Sequence, residues 1–76
     1  MNTNKNVILL KIGNNITQLR KSKGWSQEEL AFECQLHRTY IGSVERGERN
    51  IAILNLFKIA NALGVEVKEI IKQDSN

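Results

Sequence analysis

Between residues 7 and 23 apolar side chains return at helical intervals: Leu9, Ile12, Ile16 and Leu19 share one face. The spacing predicts a first helix there. Val7, Ile8 and Leu10 exceed what that face needs, so the first turn is expected to be buried elsewhere or to cover a neighbouring chain. The polar run before it, residues 1–6, is expected to fray. Arg20, Lys21 and Lys23 fall in the last turn, where cations suit the carbonyl end of the helix dipole and could also face phosphates. Gly24 follows as a left-handed cap. Ser26 and Glu29 have capping-box spacing and open a second helix over residues 27–34, with Leu30, Ala31 and Cys34 as its buried face. Trp25 precedes the cap, where a staple contact with Leu30 competes with base stacking. Gln35 and Leu36 make the corner. If Gln35 turns left-handed there, the strain is about 1 kcal/mol. A third helix, residues 37–46, carries Ile41 and Val44 and ends at Gly47. A fourth, residues 53–63, turns Ile53, Leu56, Ile59, Ala60 and Leu63 toward a core and ends at Gly64. A short fifth, residues 67–72, carries Val67, Ile70 and Ile71, and residues 73–76 should be loose. Strand-type alternation is absent throughout, and no proline interrupts the pattern. The prediction is a single all-α domain over residues 1–76, compact and built of five helices.

The third helix is unlike the others. It begins His37, Arg38, Thr39, Tyr40, four hydrogen-bonding side chains at one helix start. A core helix is not built that way, whereas a helix presented to DNA base edges is. The Arg38 guanidinium matches guanine O6 and N7 together, and equally suits a phosphate, which positions without specifying. Thr39 can donate or accept, and its methyl can touch a thymine methyl. Tyr40 can bond a phosphate or pack at a base step. His37 is expected to cap the helix or touch backbone.

Composition narrows the function. With 76 residues and 41% hydrophobic content the core is small, and a second copy would help it. A net charge of +3 suits a polyanionic partner. One Cys and one His leave no disulfide and no four-ligand metal site, and Cys34 reads as a small core residue. Neither a nucleophile–base pair nor a phosphate-cradling glycine loop is present, so the chain is not expected to be an enzyme or to need a cofactor. The longest apolar run, residues 7–10, is too short to cross a membrane, and a reducing cytoplasm is the default location. Beyond Gly47, Ile51, Leu54 and Phe57 remain once a core face is assigned. Together with Val67, Ile70 and Ile71 they predict an isologous dimer through the last two helices.

The runs RKSKGWSQEELA, RTYIGSVERGERN and LFKIANALGVEVKEI resemble the Cro/CI-type (XRE) helix-turn-helix regulators over residues 12–71. The family region corresponds to residues 16–71 and the helix-turn-helix itself to 27–46. Within the family, HRTYIGSVERGERN is most similar to the controller proteins of restriction–modification systems. The resemblance implies the lambda-repressor-like DNA-binding fold and a homodimer on a pseudo-palindromic, double-stranded operator, acting on the chain's own gene and an endonuclease gene. It places Gln27 on a phosphate, Arg38, Thr39, Tyr40 and Ser43 in the major groove, and Arg49 and Asn50 on the backbone; His37, from its own place at the helix start, is expected among the DNA-binding residues as well. It makes Arg20 and Glu45 a structural ion pair, and Arg46 beside Glu45 is expected to be structural too. Two dimers on adjacent sites would first recruit and then block RNA polymerase. Glu28, Glu29 and Glu33 are candidates for an acidic face toward the polymerase, and equally read as a solvated, capping face. Two residues depart from the family: Gln35 replaces a usual glycine, and Ala52 a usual Ser or Thr cap. A phage-type repressor, an antitoxin of the same fold and a protein-interaction adaptor are the alternatives.

Overall fold

Among the described residues, 5–74, the computed structural model contains five helices and no strand. They are α1 Lys5–Ser22, α2 Gln27–Cys34, α3 Arg38–Glu45, α4 Ile53–Leu63 and α5 Val67–Ile71. The expected fraying of residues 1–4 and looseness of residues 75–76 lie outside the described residues. Helix α1 starts at Lys5, ahead of the first apolar residue, because nothing in Lys5-Asn6 opposes helical backbone.

The helices close a ring around one core: α1 packs on α3 and α5, α2 on α3 and α4, and α4 on α5. The centre is filled by Ile16, Leu30, Ile41, Ile59 and Ile70, all fully buried. Three expectations are corrected here. The stripe of α1 runs through Ile8, Ile12, Ile16 and Leu19, so Ile8 packs on the core and Leu9 does not. Ile53 was expected in the core and is 61% exposed, because the inward stripe of α4 is Leu56, Ile59, Ala60 and Leu63 and Ile53 lies a turn before it. Ile70 was expected at a dimer interface and is buried in the protomer, where its short helix packs on α1 and α4.

Residues beyond α5 are also less loose than expected. Asn15 Nδ2 donates to the carbonyls of Ile70 and Lys72 at 2.8 and 2.9 Å. Lys11 Nζ donates to the Gln73 carbonyl at 2.7 Å, and the Gln73 amide reaches the Ile8 carbonyl at 3.5 Å. Side chains of α1 thus satisfy terminal carbonyls of a five-residue helix that cannot satisfy its own.

Helix α1 crosses the end of α3 at backbone contact. A Cβ at Gly13 would stand 2.5 Å from the carbonyl oxygens of Val44 and Glu45. Across the same junction, a Cβ at Gly47, itself at φ 74°, would stand 2.9 Å from Leu10 Cα.

The corner between α2 and α3 carries the predicted strain. Gln35 sits at φ 60°, ψ 42°, the one non-glycine residue with positive φ among those described. Its exposed side chain forms no hydrogen bond there that offsets the conformation. Ala52 occupies the N-cap of α4 and offers no side-chain acceptor. Gln35→Gly is therefore expected to raise stability by about 1 kcal/mol by relieving the left-handed strain, and Ala52→Ser by about 1 kcal/mol through a new cap. Urea unfolding of both variants measures this.

Candidate nucleic-acid interface

The site is built around a buried ion pair. Arg20 Nε donates to Glu45 Oε2 at 2.7 Å and an Arg20 terminal nitrogen donates to Oε1 at 3.0 Å, a two-point fork. The other terminal nitrogen donates to the Trp25 carbonyl at 2.8 Å. Gln27 Nε2 donates to Glu45 Oε1 at 2.9 Å. One carboxylate therefore ties α1, the start of α2 and the end of α3 together. Burial pushes the Glu45 carboxyl upward, but the hydrogen bonds from Arg20 and Gln27 and the charge of Arg20 outweigh it and hold it below its ordinary value.

The pair sets the start of α2. The Ser26 hydroxyl accepts from the Glu29 backbone amide at 3.0 Å, and the Glu29 carboxylate accepts from the Ser26 backbone amide at 2.7 Å, completing the capping box. The first-turn amides next to them have no intrahelical acceptor and point out of the helix start. Trp25 is half-buried against the core cluster that contains Leu30, and Lys23 Nζ lies 4.8 Å from its ring centre.

The start of α3 opens to solvent beside this helix end. Arg38 and Thr39 are exposed, as are Arg49 and Asn50 in the loop that follows α3. His37 holds the N-cap position, but its side chain makes no cap hydrogen bond, contrary to expectation. Tyr40 is half-buried rather than displayed: its ring packs on the core, the Arg49 guanidinium lies 5.2 Å over it, and its hydroxyl is buried without a partner. Ser43 leaves the expected reading surface. It is 8% exposed and its hydroxyl donates to the Tyr40 carbonyl at 2.8 Å, because it lies on the inward side of α3 with Ile41 and Val44. The Gln27 side chain is committed to Glu45, which leaves its backbone amide as the donor facing outward.

Two apolar surfaces flank the site. Leu54, Ile53 and Phe57 stand out from α4, with Leu54 73% exposed, and Ile71 is exposed on α5. Of the other expected interface residues, Ile51 and Val67 are only partly buried at the core edge. The second surface centres on Phe32, 80% exposed on α2. It lines an open groove of about 520 Å³ with Trp25, Glu28, Glu29 and Glu33. Helical spacing already sets Phe32 off the Leu30, Ala31 and Cys34 face, a signal that the sequence pattern contains but that a count of core positions passes over. Among the described residues, no three His, Cys, Asp or Glu side chains gather as a metal site, and no helix is long and apolar enough to cross a membrane.

A short helix, a tight left-handed corner and a second helix with an exposed, basic start define a helix-turn-helix protein. The chain belongs to the helix-turn-helix family whose model matches residues 16–70. It is 52% identical over 67 residues to the control protein C.BamHI of Bacillus amyloliquefaciens, covering 87% of this chain and 83% of that protein. It is similar to the crystal structure of the restriction–modification controller protein C.AhdI from Aeromonas hydrophila, with a TM-score of 0.80 and 48% identity over 82% of this chain and 94% of that one. The controller protein C.Esp1396I, solved as a tetramer in complex with its natural 35 base-pair operator, aligns at a TM-score of 0.73 and 38% identity over 86% of this chain and 96% of that one.

Because the folded Glu45 carboxyl titrates below its unfolded value, its contribution to stability is present above the ordinary carboxylate range and is lost as pH falls through the depressed folded value. Glu45→Gln is expected to cost about 3 kcal/mol at neutral pH by stranding Arg20. The gap to the unsubstituted protein should narrow as pH falls below about 4. Urea unfolding at stepped pH checks both the size and the direction.

Proposed function

We propose that the chain is the controller protein of a restriction–modification system, a homodimer that binds a pseudo-palindromic operator and regulates transcription of its own and the endonuclease gene. The observation that carries this is the exposed start of α3, with Arg38 and Thr39 presented beside the amide-rich start of α2 and the Arg49–Asn50 loop, on a chain similar to controllers of such systems. Arg38 reads guanine in the major groove and Thr39 a neighbouring base. The Gln27 amide, Arg49 and Asn50 hold phosphates on either side and fix the depth of α3, and His37 lies against the backbone at its start. Tyr40 supports α3 from beneath and keeps Arg49 over its ring.

One α3 touches too few bases to select a site in a genome, so the second copy is part of the function. Leu54, Phe57 and Ile71, joined by Ile53 and by the edges of Ile51 and Val67, form the dimer face. A groove of about 390 Å³ runs beside Phe57, between Ala60, Val65 and Val67, and a two-fold axis sets each chain's exposed side chains against the other's groove. Two α3 helices then stand about 34 Å apart, one turn of DNA. A first dimer recruits RNA polymerase, through Phe32 and its flanking glutamates against a basic surface, and a second dimer on the adjacent site blocks it. The protein works in the cytoplasm, without cofactor and without enzymatic activity.

Footprinting on the chain's own upstream DNA across a concentration series should show two protected half-sites one turn apart, then a second pair at higher concentration. A single unsymmetrical footprint, or no duplex binding at low salt, would refute the proposal. Arg38→Ala should cost about 1–3 kcal/mol in operator binding and relax base preference at one position in each half-site. Phe32→Ala should leave the footprint unchanged and remove activation in a promoter–reporter assay; retained activation would exclude Phe32 from polymerase contact.

A further inference from the structure

We infer that Arg46 is a further DNA-backbone contact and that Glu48 competes with DNA for it, so that this pair sets the protein's affinity without touching its specificity. The inference rests on the DNA-binding reading above and adds a residue that the sequence pattern groups with the structural end of α3.

Arg38, Gly42 and Arg46 follow one another at intervals of four along α3 and its C-cap, so they form one stripe. Its middle position has no side chain. A Cβ at Gly42 would stand 3.2 Å from Arg46 Nη1 and 3.4 Å from Gln27 Oε1. The tips of Arg46 and Gln27 therefore converge over the same bare patch of helix. Gln27 begins α2, where the outward amides face the proposed phosphate. The Arg46 guanidinium is thus placed beside that phosphate, on the same stripe as the base-reading Arg38.

The two arginine–glutamate pairs of the site differ in what they can exchange. Arg20 and Glu45 are buried, with side chains 10% and 5% exposed, and are joined at two points. Arg46 Nε meets Glu48 Oε2 at 3.0 Å, and both side chains are 58% exposed. That single hydrogen bond leaves four of the five guanidinium donors for another acceptor. An exposed pair of this kind is held weakly, and a guanidinium fits a phosphate as well as it fits a carboxylate. Approaching DNA replaces the Glu48 carboxylate with a phosphate oxygen. Glu48, two residues away in the chain, stays close as a competing anion. Neither group reads a base, so the exchange shifts affinity for all duplexes together.

The test is a double-mutant cycle of Arg46→Gln and Glu48→Gln, measured on the protein's own operator and on an unrelated duplex across a salt series. Arg46→Gln should weaken both complexes several-fold and lower the salt slope by about one, and Arg46→Lys should restore the slope. Glu48→Gln should tighten both complexes several-fold, and most of that gain should disappear in the Arg46→Gln background. An unchanged slope in Arg46→Gln would overturn the phosphate contact. An equal gain from Glu48→Gln in both backgrounds would overturn the competition and leave Glu48 as a simple repulsive charge. Absence of duplex binding by the unsubstituted protein at low salt would instead overturn the DNA-binding reading itself. Urea midpoints for all variants, expected within error of one another, separate these effects from unfolding.

Discussion

The carboxylate of Glu45 is where the architecture is decided. It receives two bonds from Arg20 on α1 and one from Gln27 at the head of α2, while Arg20 also holds the Trp25 carbonyl. A buried pair of this kind is close to neutral against apolar packing, yet removing one partner strands the other charge at a cost of several kcal/mol. Its role is therefore geometric: α1, α2 and α3 have one relative placement in which every charge is satisfied. The glycine contacts serve the same junction. Gly13 lets the α1 backbone reach the last carbonyls of α3, and Gly47 lets the chain leave α3 against Leu10. With these three helices fixed, the starts of α2 and α3 open side by side toward solvent, which is the arrangement a DNA groove requires.

Polar chemistry is consequently divided by depth. The inward pair is closed and cannot accept a ligand without losing a buried bond. Ser43, on the same side of α3, is spent on the Tyr40 carbonyl. Outward, Arg38 and Thr39 have no internal partner among the described residues, and Arg46 has one that is easily exchanged. Two arginines on one helix thus meet opposite kinds of neighbour: the first faces open solvent, and the second faces a carboxylate that the chain itself supplies.

How much of this was legible in the sequence follows from which residues act locally. The capping box, the left-handed Gln35 and the boundaries of α2 depend on neighbours within a few positions, and the residue pattern states them outright. Placement across the core depends on helix phase and on what lies opposite. A shift of one residue exchanged Leu9 for Ile8 on α1, and the end of the α4 stripe put Ile53 in solvent while the shortness of α5 drew Ile70 inward. The polar start of α3 singled out a candidate region, but which of its side chains turn outward was set by packing against Tyr40 and Glu45. The resemblance to a known family located the Arg20–Glu45 contact, which no local pattern could have located, since 25 residues separate its partners.

The apolar residues left outside the core connect that division to regulation. Leu54 and Phe57 stand exposed on the protomer, and on the proposed reading a second chain covers them. On the proposed reading, a protomer whose second arginine is partly neutralised by Glu48 binds DNA weakly by itself. Joining two such protomers makes the second contact nearly intramolecular, so occupancy follows the population of dimer rather than of chain. Raising the affinity of each protomer would blunt this dependence, because single copies would then hold half-sites. A carboxylate that weakens every DNA complex equally is in that setting an advantage: it keeps binding coupled to dimerisation while leaving the base preference of Arg38 untouched.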